Sequence, residues 1–171
     1  MYGDAFVSGV ITDAELTNDN KTMWYCVTLC EKTGNLINGQ PSVITFKEVY
    51  WNGLRLTFQS DGVTVGTAYG EDGEAVTSLD GLVKFYPFNG NSDSPTNFVN
   101  QGSGNNTSAY NLFPNWTGSH DMSDLIFCLV RVDYNKEKGT AGIGNLRFKL
   151  SNTMRQPGDV LYDYMTNESI S

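Results

Sequence analysis

The sequence predicts a mainly β domain, either a short-strand antiparallel sandwich or a partly open barrel, with a short C-terminal helix as its minor α component. Its 171 residues suit one domain with a sizeable core, which we place at residues 1–171. The 18 glycines and the 12% aromatic residues, with 18% charged residues, are typical of short strands and tight turns. Runs of β-branched and aromatic residues alternate with Gly, Asn and Pro along most of the chain.

Charge and cysteine content bear on the functional class. The formal net charge is -8 and no basic stripe runs along the sequence, so we expect no nucleic-acid partner. Three cysteines cannot all pair, and Cys26 and Cys30 are expected to be buried small residues on one strand. No segment reaches the roughly 18 apolar residues of a membrane span, and the first residues do not read as a signal peptide. We expect a soluble protein with no membrane span, metal or cofactor.

The strands follow from local patterns. "AFVSGVI" predicts a first strand, "TNDNK" a polar turn, and the dense apolar run "TMWYCVTLC" a central strand buried on both faces. "SVITFKEVYWNGLRLTF" predicts a hairpin, because Asn52-Gly53 suits the positive φ angles of a type I′ turn. "GVTVGTAYGEDGEAV" and "GLVKFYPF" predict further short strands. "LIFCLVRVDY" and "NLRFKL" complete the sheets.

Residues 89–111 form a polar segment, which we predict to be a long insertion loop. So long a loop in a compact domain is usually functional or mobile. Its two aromatic residues, Phe98 and Tyr110, are candidate contacts with another protein. The alternative is a mobile surface insertion.

The segment "PGDVLYDYMTN" predicts a terminal helix over residues 157–167. Pro157 suits a helix start, Asp159 suits the positive end of the helix dipole, and Asn167 is a plausible C-terminal cap. Helical spacing brings four apolar residues onto one stripe: Val160, Leu161, Tyr164 and Met165. So short a helix is marginal in isolation, so this stripe must dock on something. It packs on the sheet of "LIFCLVRVDY" and "NLRFKL", on a neighbouring subunit, or as a cap on the domain's own core.

Enzymatic interpretations find little support. The carboxylates of Glu71, Asp72 and Glu74 share one segment, but its spacing does not fit an EF-hand, and a solvated acidic turn is favoured. The single histidine, His120, is flanked by a serine and an aspartate, yet adjacent residues of an extended chain point apart. We assign no catalytic residue and predict that the protein is not an enzyme.

The motifs stand in a characteristic order: "WYCVTLCEKTGNL", "FKEVYWNG", a polar insert, "NWTGSHDMSDLIFCLVRVDYN", "GIGNLRFKL" and "PGDVLYDYMTN". This order resembles the tail-tip hub proteins of tailed phages, the host-specificity (tip attachment) family of lambda-like siphophages. The likeness covers roughly residues 24–167. The matching residues are Trp116, His120, Leu125, Arg131, Val132, Tyr134, Gly142, Ile143, Asn145, Pro157, Val160, Leu161, Asp163, Tyr164, Thr166 and Asn167.

Three features depart from the family pattern. Gly144 stands where the family usually has proline, and Gly158-Asp159 replaces a small-residue pair. The sequence ends in "NESIS" where the family continues toward "RYG". The full hub protein is also much longer.

The resemblance implies a virion structural role without catalysis. Proteins of this family form a trimeric β-rich ring at the distal end of the tail, between the tail tube and the host-recognition parts. It implies a homotrimer, other phage tail proteins as partners, an indirect link to a host surface receptor, and assembly in the host cytoplasm into the virion.

The alternative is a β-sandwich carbohydrate- or receptor-binding module that uses Trp51, Trp116 or Tyr110 as stacking platforms. For Trp51 itself we favour cross-strand packing. For Arg131 we favour a solvent-facing position rather than an ion pair between subunits.

Overall fold

A computed structural model of the protein describes residues 1–90, 98–99, 106–107, 112–117, 122 and 124–166. The backbone alone is described at 98–99 and 106–107. The chain is mainly β: of the residues that the structure describes, 49% lie in strands and 8% in helix. Ten of the twelve described strands form two antiparallel sheets, which do not close into a barrel, and the other two pair with each other. A short helix lies at the C-terminal end of the described chain. The predicted fold class is confirmed as the sandwich form.

The strand order brings distant parts of the chain together. The six-stranded sheet has the order β1-β12-β4-β5-β6-β7, and the four-stranded sheet the order β2-β3-β11-β8. The strands are β1 Asp4–Val7, β2 Val10–Thr17, β3 Thr22–Glu31, β4 Ile44–Trp51, β5 Leu54–Phe58, β6 Val65–Tyr69, β7 Ala75–Val76, β8 Val83–Phe88, β9 Phe98–Val99, β10 Asn106–Thr107, β11 Leu125–Asp133 and β12 Leu146–Asn152. The helix, α1, spans Pro157–Thr166.

The main core lies between the two sheets. Phe148 of β12 is fully buried, and its ring makes edge-to-face contacts with Phe46 and Phe85, each at 6.1 Å between centroids. A second cluster lies on the other face of the four-stranded sheet, where Trp24 and Phe127 are covered by residues that include Phe113. The central strands β3 and β11 are therefore buried on both faces, as the apolar run in β3 predicts.

The N-terminal segment differs from the prediction. "AFVSGVI" is not one strand: its first half belongs to β1 in the larger sheet and its second half to β2 at the edge of the smaller sheet. Gly9 makes the crossing possible, with φ at 74°. A Cβ atom on Gly9 would lie 2.6 Å from Leu29 and 2.7 Å from Val27, so only glycine fits this close approach. Strand propensity alone did not reveal the break.

The predicted hairpin is confirmed. β4 and β5 pair with Trp51 opposite Leu54, and the turn residues Asn52 and Gly53 have φ angles of 50° and 85°. Trp51 is only 5% exposed, so it is a packing residue, as favoured above. Gly144 lies against its indole, where a Cβ atom would come within 2.5 Å of Nε1. Any side chain at position 144, proline included, would collide with Trp51. Contact with Trp51 therefore favours glycine at position 144.

The segment 89–111, predicted as a loop, contains a short antiparallel hairpin in its described part. Val99 of β9 pairs with Asn106 of β10, and Phe98 pairs with Thr107. Among the described residues, no helix is long and apolar enough to cross a membrane.

Candidate assembly surface at the C-terminal helix

Helix α1 begins at Pro157, as predicted. The amide of Val160 donates to the carbonyl of Gln156 at 3.0 Å, and Asp159 lies in the first turn, where a negative charge is favourable. At the other end, the hydroxyl of Thr166 donates to the carbonyl of Tyr162 at 2.8 Å. The proposed cap, Asn167, lies outside the described residues. Ten residues are too few for a stable isolated helix, so tertiary contacts must hold α1.

The main contact is a buried carboxylate. Asp163 is 5% exposed and accepts two hydrogen bonds, from the phenol of Tyr2 at 2.9 Å and from the amide of Gly34 at 2.8 Å. Burial, followed by the hydrogen bond to Asp163, raises the pKa of Tyr2. A Cβ atom at position 34 would lie 2.5 Å from Asp163 Oδ1, so the glycine gives the carboxylate access to the backbone. Asp163 therefore connects α1 to both the N-terminal residues and the loop after β3.

A second carboxylate acts on the same helix face. Asp159 lies four residues before Asp163 and accepts a hydrogen bond from the amide of Ile37 at 2.6 Å. Residues four apart lie on one side of a helix. The two carboxylates thus hold the loop of residues 34–37, and the inward face of α1 is acidic.

The apolar stripe faces outward. Leu161 is 59% exposed, Tyr164 56% and Met165 75%, while Val160 is half-buried. The stripe therefore does not pack on the β11–β12 region in this structure. The helix itself docks on its own domain, through hydrogen-bonding carboxylates rather than through its apolar face. Docking on a neighbouring subunit stays a prediction.

An open groove of about 700 Å³ separates the later turns of α1 from the sandwich. It is lined by the segment 31–39, by Asp124 and Leu125, and by Tyr162 and Thr166 of the helix. Across its floor, the amide of Lys32 donates to the carbonyl of Asp124 at 2.6 Å, and the two side chains approach to 3.7 Å. The groove therefore lies between α1 and the loop that its carboxylates hold.

The other two predicted interface residues are not brought to this surface by any described contact. Phe98 lies in β9, where its side chain is not described, and Tyr110 lies outside the described residues. Sequence reasoning missed a second exposed apolar surface on the edge strand β2, where Val10 is 67% exposed, Ile11 50% and Leu16 45%. Their alternation with polar residues is too weak to indicate which face is covered.

The next observations concern the carboxylates, cysteines and histidine considered above for metal binding or catalysis. No three His, Cys, Asp or Glu side chains among the described residues lie together in a way that could hold a metal ion. Cys26 is buried, as predicted, whereas Cys30 is only half-buried; both are free, as is the buried Cys128, and burial raises the pKa of all three thiols. Glu71 and Glu74 are exposed on a tight turn. His120 lies outside the described residues.

Of the three predicted stacking platforms of a binding module, Trp51 and Trp116 are engaged within the chain, and Tyr110 lies outside the described residues. Trp51 is buried, and Trp116 stacks on Phe113 at 5.1 Å while its Nε1–H donates to Asp13 at 2.7 Å. Arg131 does not point freely into solvent: it pairs with Asp133, two residues along the same strand, at 3.0 Å. The solvent-facing expectation for Arg131 is wrong, because its side chain is only 20% exposed and lies over the ring of Trp24, 5.9 Å from the centroid.

Comparison with known proteins adds no family. No protein-family model matches the chain, and no curated protein matches it. The resemblance to tail-tip hub proteins therefore stays a prediction from the sequence motifs. The structural observation that bears on function is the orientation of α1, whose acidic face points toward the sandwich and whose apolar stripe points toward solvent.

Proposed function

We propose that this chain is a structural subunit of a phage tail tip or baseplate hub, which links the tail tube to the host-recognition parts. The observation that carries the proposal is the orientation of α1. Two carboxylates hold the helix to the body, and the apolar stripe faces solvent. The order of motifs along the sequence supports the choice of family.

Burying the apolar stripe of α1 in an interface would be energetically favourable. A contiguous apolar surface with polar surroundings marks an interaction site more often than a free face. Fully burying a Leu or Met side chain contributes about 1.5–3 kcal/mol. Leu161 and Met165 keep more than half of their surface exposed, so most of that gain is left for an interface.

In this proposal the stripe of α1 contacts a second copy of the chain in a homotrimer. Other tail proteins bind elsewhere on the subunit, and a host surface receptor is reached only indirectly. The subunit assembles in the host cytoplasm and remains in the virion. It has no catalytic role.

The place in the virion is tested by electron microscopy of particles produced from a genome that encodes this chain, labelled with gold-conjugated antibodies against it. We expect label at the distal end of the tail. Tailless capsids from the same preparation serve as the control and should stay unlabelled. Label on capsids, or none on tailed particles, would contradict the proposal.

The contact itself is tested by oxidative cross-linking of the assembled protein. Met165→Cys should give a covalent dimer, because the stripe meets its counterpart on another copy. Tyr134→Cys is the matched control: Tyr134 is 54% exposed but lies away from α1, at the end of β11. Equal cross-linking of the two variants would show collision rather than a specific contact.

A further inference from the structure

The outer face of the six-stranded sheet is cationic, although the chain as a whole has a net charge of -8. The outward positions follow from register: in β12, Arg147 and Lys149 alternate with the buried residues Leu146, Phe148 and Leu150. Arg55 of β5 is also exposed, and Arg155 reaches the same face through a hydrogen bond to Ser151 at 2.7 Å. Four of the chain's 11 Lys and Arg residues therefore share one surface.

Two of these cations have no carboxylate partner among the described residues. Lys149 pairs with Glu48, and Arg155 pairs with Asp4 at 2.7 Å. Arg147 instead lies over the ring of Phe6, at 4.9 Å from its centroid, and Arg55 lies 5.9 Å from the centroid of Tyr69. A guanidinium that stacks on a ring keeps its edge N–H groups free to donate to a ligand.

The free cations and the rings form one row across four strands. Arg147 of β12 is opposite Tyr50 of β4, Tyr50 is opposite Arg55 of β5, and Arg55 is opposite Tyr69 of β6. Neighbouring strands lie about 4.8 Å apart, so the two arginine backbones are about 10 Å apart with Tyr50 between them. Phe6 extends the row, with its ring 5.8 Å from that of Tyr50 and 51% of its surface exposed.

We infer that this row binds a saccharide chain that carries anionic groups. Guanidinium groups donate paired hydrogen bonds to carboxylate, sulfate or phosphate oxygens. The C–H groups of the sugar rings contact the half-buried ring of Tyr50 between the arginines and the exposed part of Phe6 beside Arg147. Duplex nucleic acid fits poorly, because two free cations cannot neutralise a line of phosphates on a strongly acidic protein. The inference does not depend on the role of α1.

The test is isothermal titration calorimetry of the whole chain with four probes. Oligogalacturonate and dextran sulfate carry charge on sugar rings, maltohexaose is a neutral saccharide, and citrate is a polyanion without a sugar ring. We expect saturable binding of at least one anionic saccharide, weakened by added salt. Absence of binding to both anionic saccharides would overturn the inference, and so would equal affinity for citrate or maltohexaose.

Matched variants locate the site. Arg55→Gln combined with Arg147→Gln should weaken binding at least 10-fold. Lys21→Gln combined with Lys136→Gln removes the same charge from exposed positions away from this sheet face, and should leave the affinity within 2-fold of the wild type. Equal loss in both double variants would show non-specific attraction and reject the site.

The role of the rings is tested separately. Phe6→Leu keeps an apolar side chain but removes the ring, and should weaken binding about 3-fold without changing its salt dependence. Phe6 is exposed on an edge strand, so the variant should fold, which circular dichroism would verify. An unchanged affinity would contradict stacking on this ring.

Discussion

In strand β12 of the sandwich, apolar side chains face inward and charged ones face solvent, whereas helix α1 turns two carboxylates inward and its apolar stripe outward. Phe148 is fully buried between the sheets, while Arg147 beside it in sequence is exposed. On α1, Asp163 is buried, while Leu161 and Met165 are exposed. Both elements are amphipathic. The comparison shows that periodicity separates two faces of an element but does not tell which of them the chain itself covers.

The difference arises from what each element meets. The inner faces of the sheets meet each other, so burial of apolar surface decides their orientation. Helix α1 meets the loop of residues 34–37, which presents free backbone amides. Carboxylates satisfy such donors, and apolar side chains cannot. The stripe is left for a contact outside the chain.

The largest expected effect comes from the apolar core. Phe148→Ala removes a buried ring that contacts Phe46 and Phe85, and should lower the free energy of unfolding by about 3–5 kcal/mol. Urea denaturation measures the loss. Phe6→Ala, on the outward face of the neighbouring strand, is the control and should cost much less. Similar losses of unfolding free energy in the two variants would mean that the inward-facing Phe148 stabilises the sheet no more than the outward-facing Phe6 does.

A smaller effect is expected at the buried carboxylate. Asp163→Ala leaves the Gly34 amide and the Tyr2 hydroxyl without their acceptor, at a cost of about 1–3 kcal/mol. The loss should appear as faster hydrogen exchange of the α1 amides. Asp159→Ala, which removes one hydrogen bond instead of two, should accelerate exchange less. No acceleration with Asp163→Ala would mean that other contacts hold the helix.

The ion pair on the outer sheet face predicts a pH dependence. The hydrogen bond from Lys149, then that from Tyr50, lowers the pKa of Glu48 below its ordinary value of 4.5. The stability that this carboxylate contributes is therefore present above pH 4.5 and is lost as the pH falls through the lowered pKa. Between pH 7 and pH 3, Glu48→Gln should lose less stability than the wild type. We expect Glu137→Gln, at an exposed turn, to follow the wild-type curve.

The same pair predicts the opposite sign in alkali. The hydrogen bond to Glu48 raises the pKa of Lys149 above 10.5, so its contribution is present below that pH and is lost as the pH rises through the raised pKa. Lys149→Met should therefore flatten the stability curve at its alkaline end. If wild type and Lys149→Met lose stability equally at alkaline pH, the ion pair between Lys149 and Glu48 does not contribute to stability.

The smallest effect on stability is expected at the stripe. Leu161→Asp replaces an exposed side chain and should change the free energy of unfolding by no more than about 0.5 kcal/mol. Thermal denaturation of dilute protein checks this value. A loss comparable with that of Phe148→Ala would mean that Leu161 packs within its own chain.

Much of the fold could be predicted because its signals are local. The hairpin at Asn52-Gly53, the doubly buried strand β3 and the start of α1 at Pro157 each depend on a few adjacent residues. The break at Gly9 was missed because it depends on contact with Leu29 and Val27, which are distant in sequence. Sheet order has the same origin, since β1 pairs with β12 at the other end of the chain.

The surfaces were harder to predict than the core. The stripe of α1 is visible from helical spacing, but its outward orientation depends on Gly34 and Ile37, which no pattern connects to Asp159 or Asp163. The cationic row was missed because its members are separated along the sequence. The alternation of charged and apolar residues in β12 was the one local sequence signal of this cationic surface.

Light scattering across a concentration series, with wild type and Leu161→Asp in parallel, tests the central claim most directly. The account predicts that the wild type rises from monomer toward trimer with concentration. Leu161→Asp should stay monomeric with an unchanged circular dichroism spectrum, because the stripe forms the contact between copies while the carboxylates still hold the helix. A wild type that is monomeric throughout, or a variant that assembles equally well, would contradict the account.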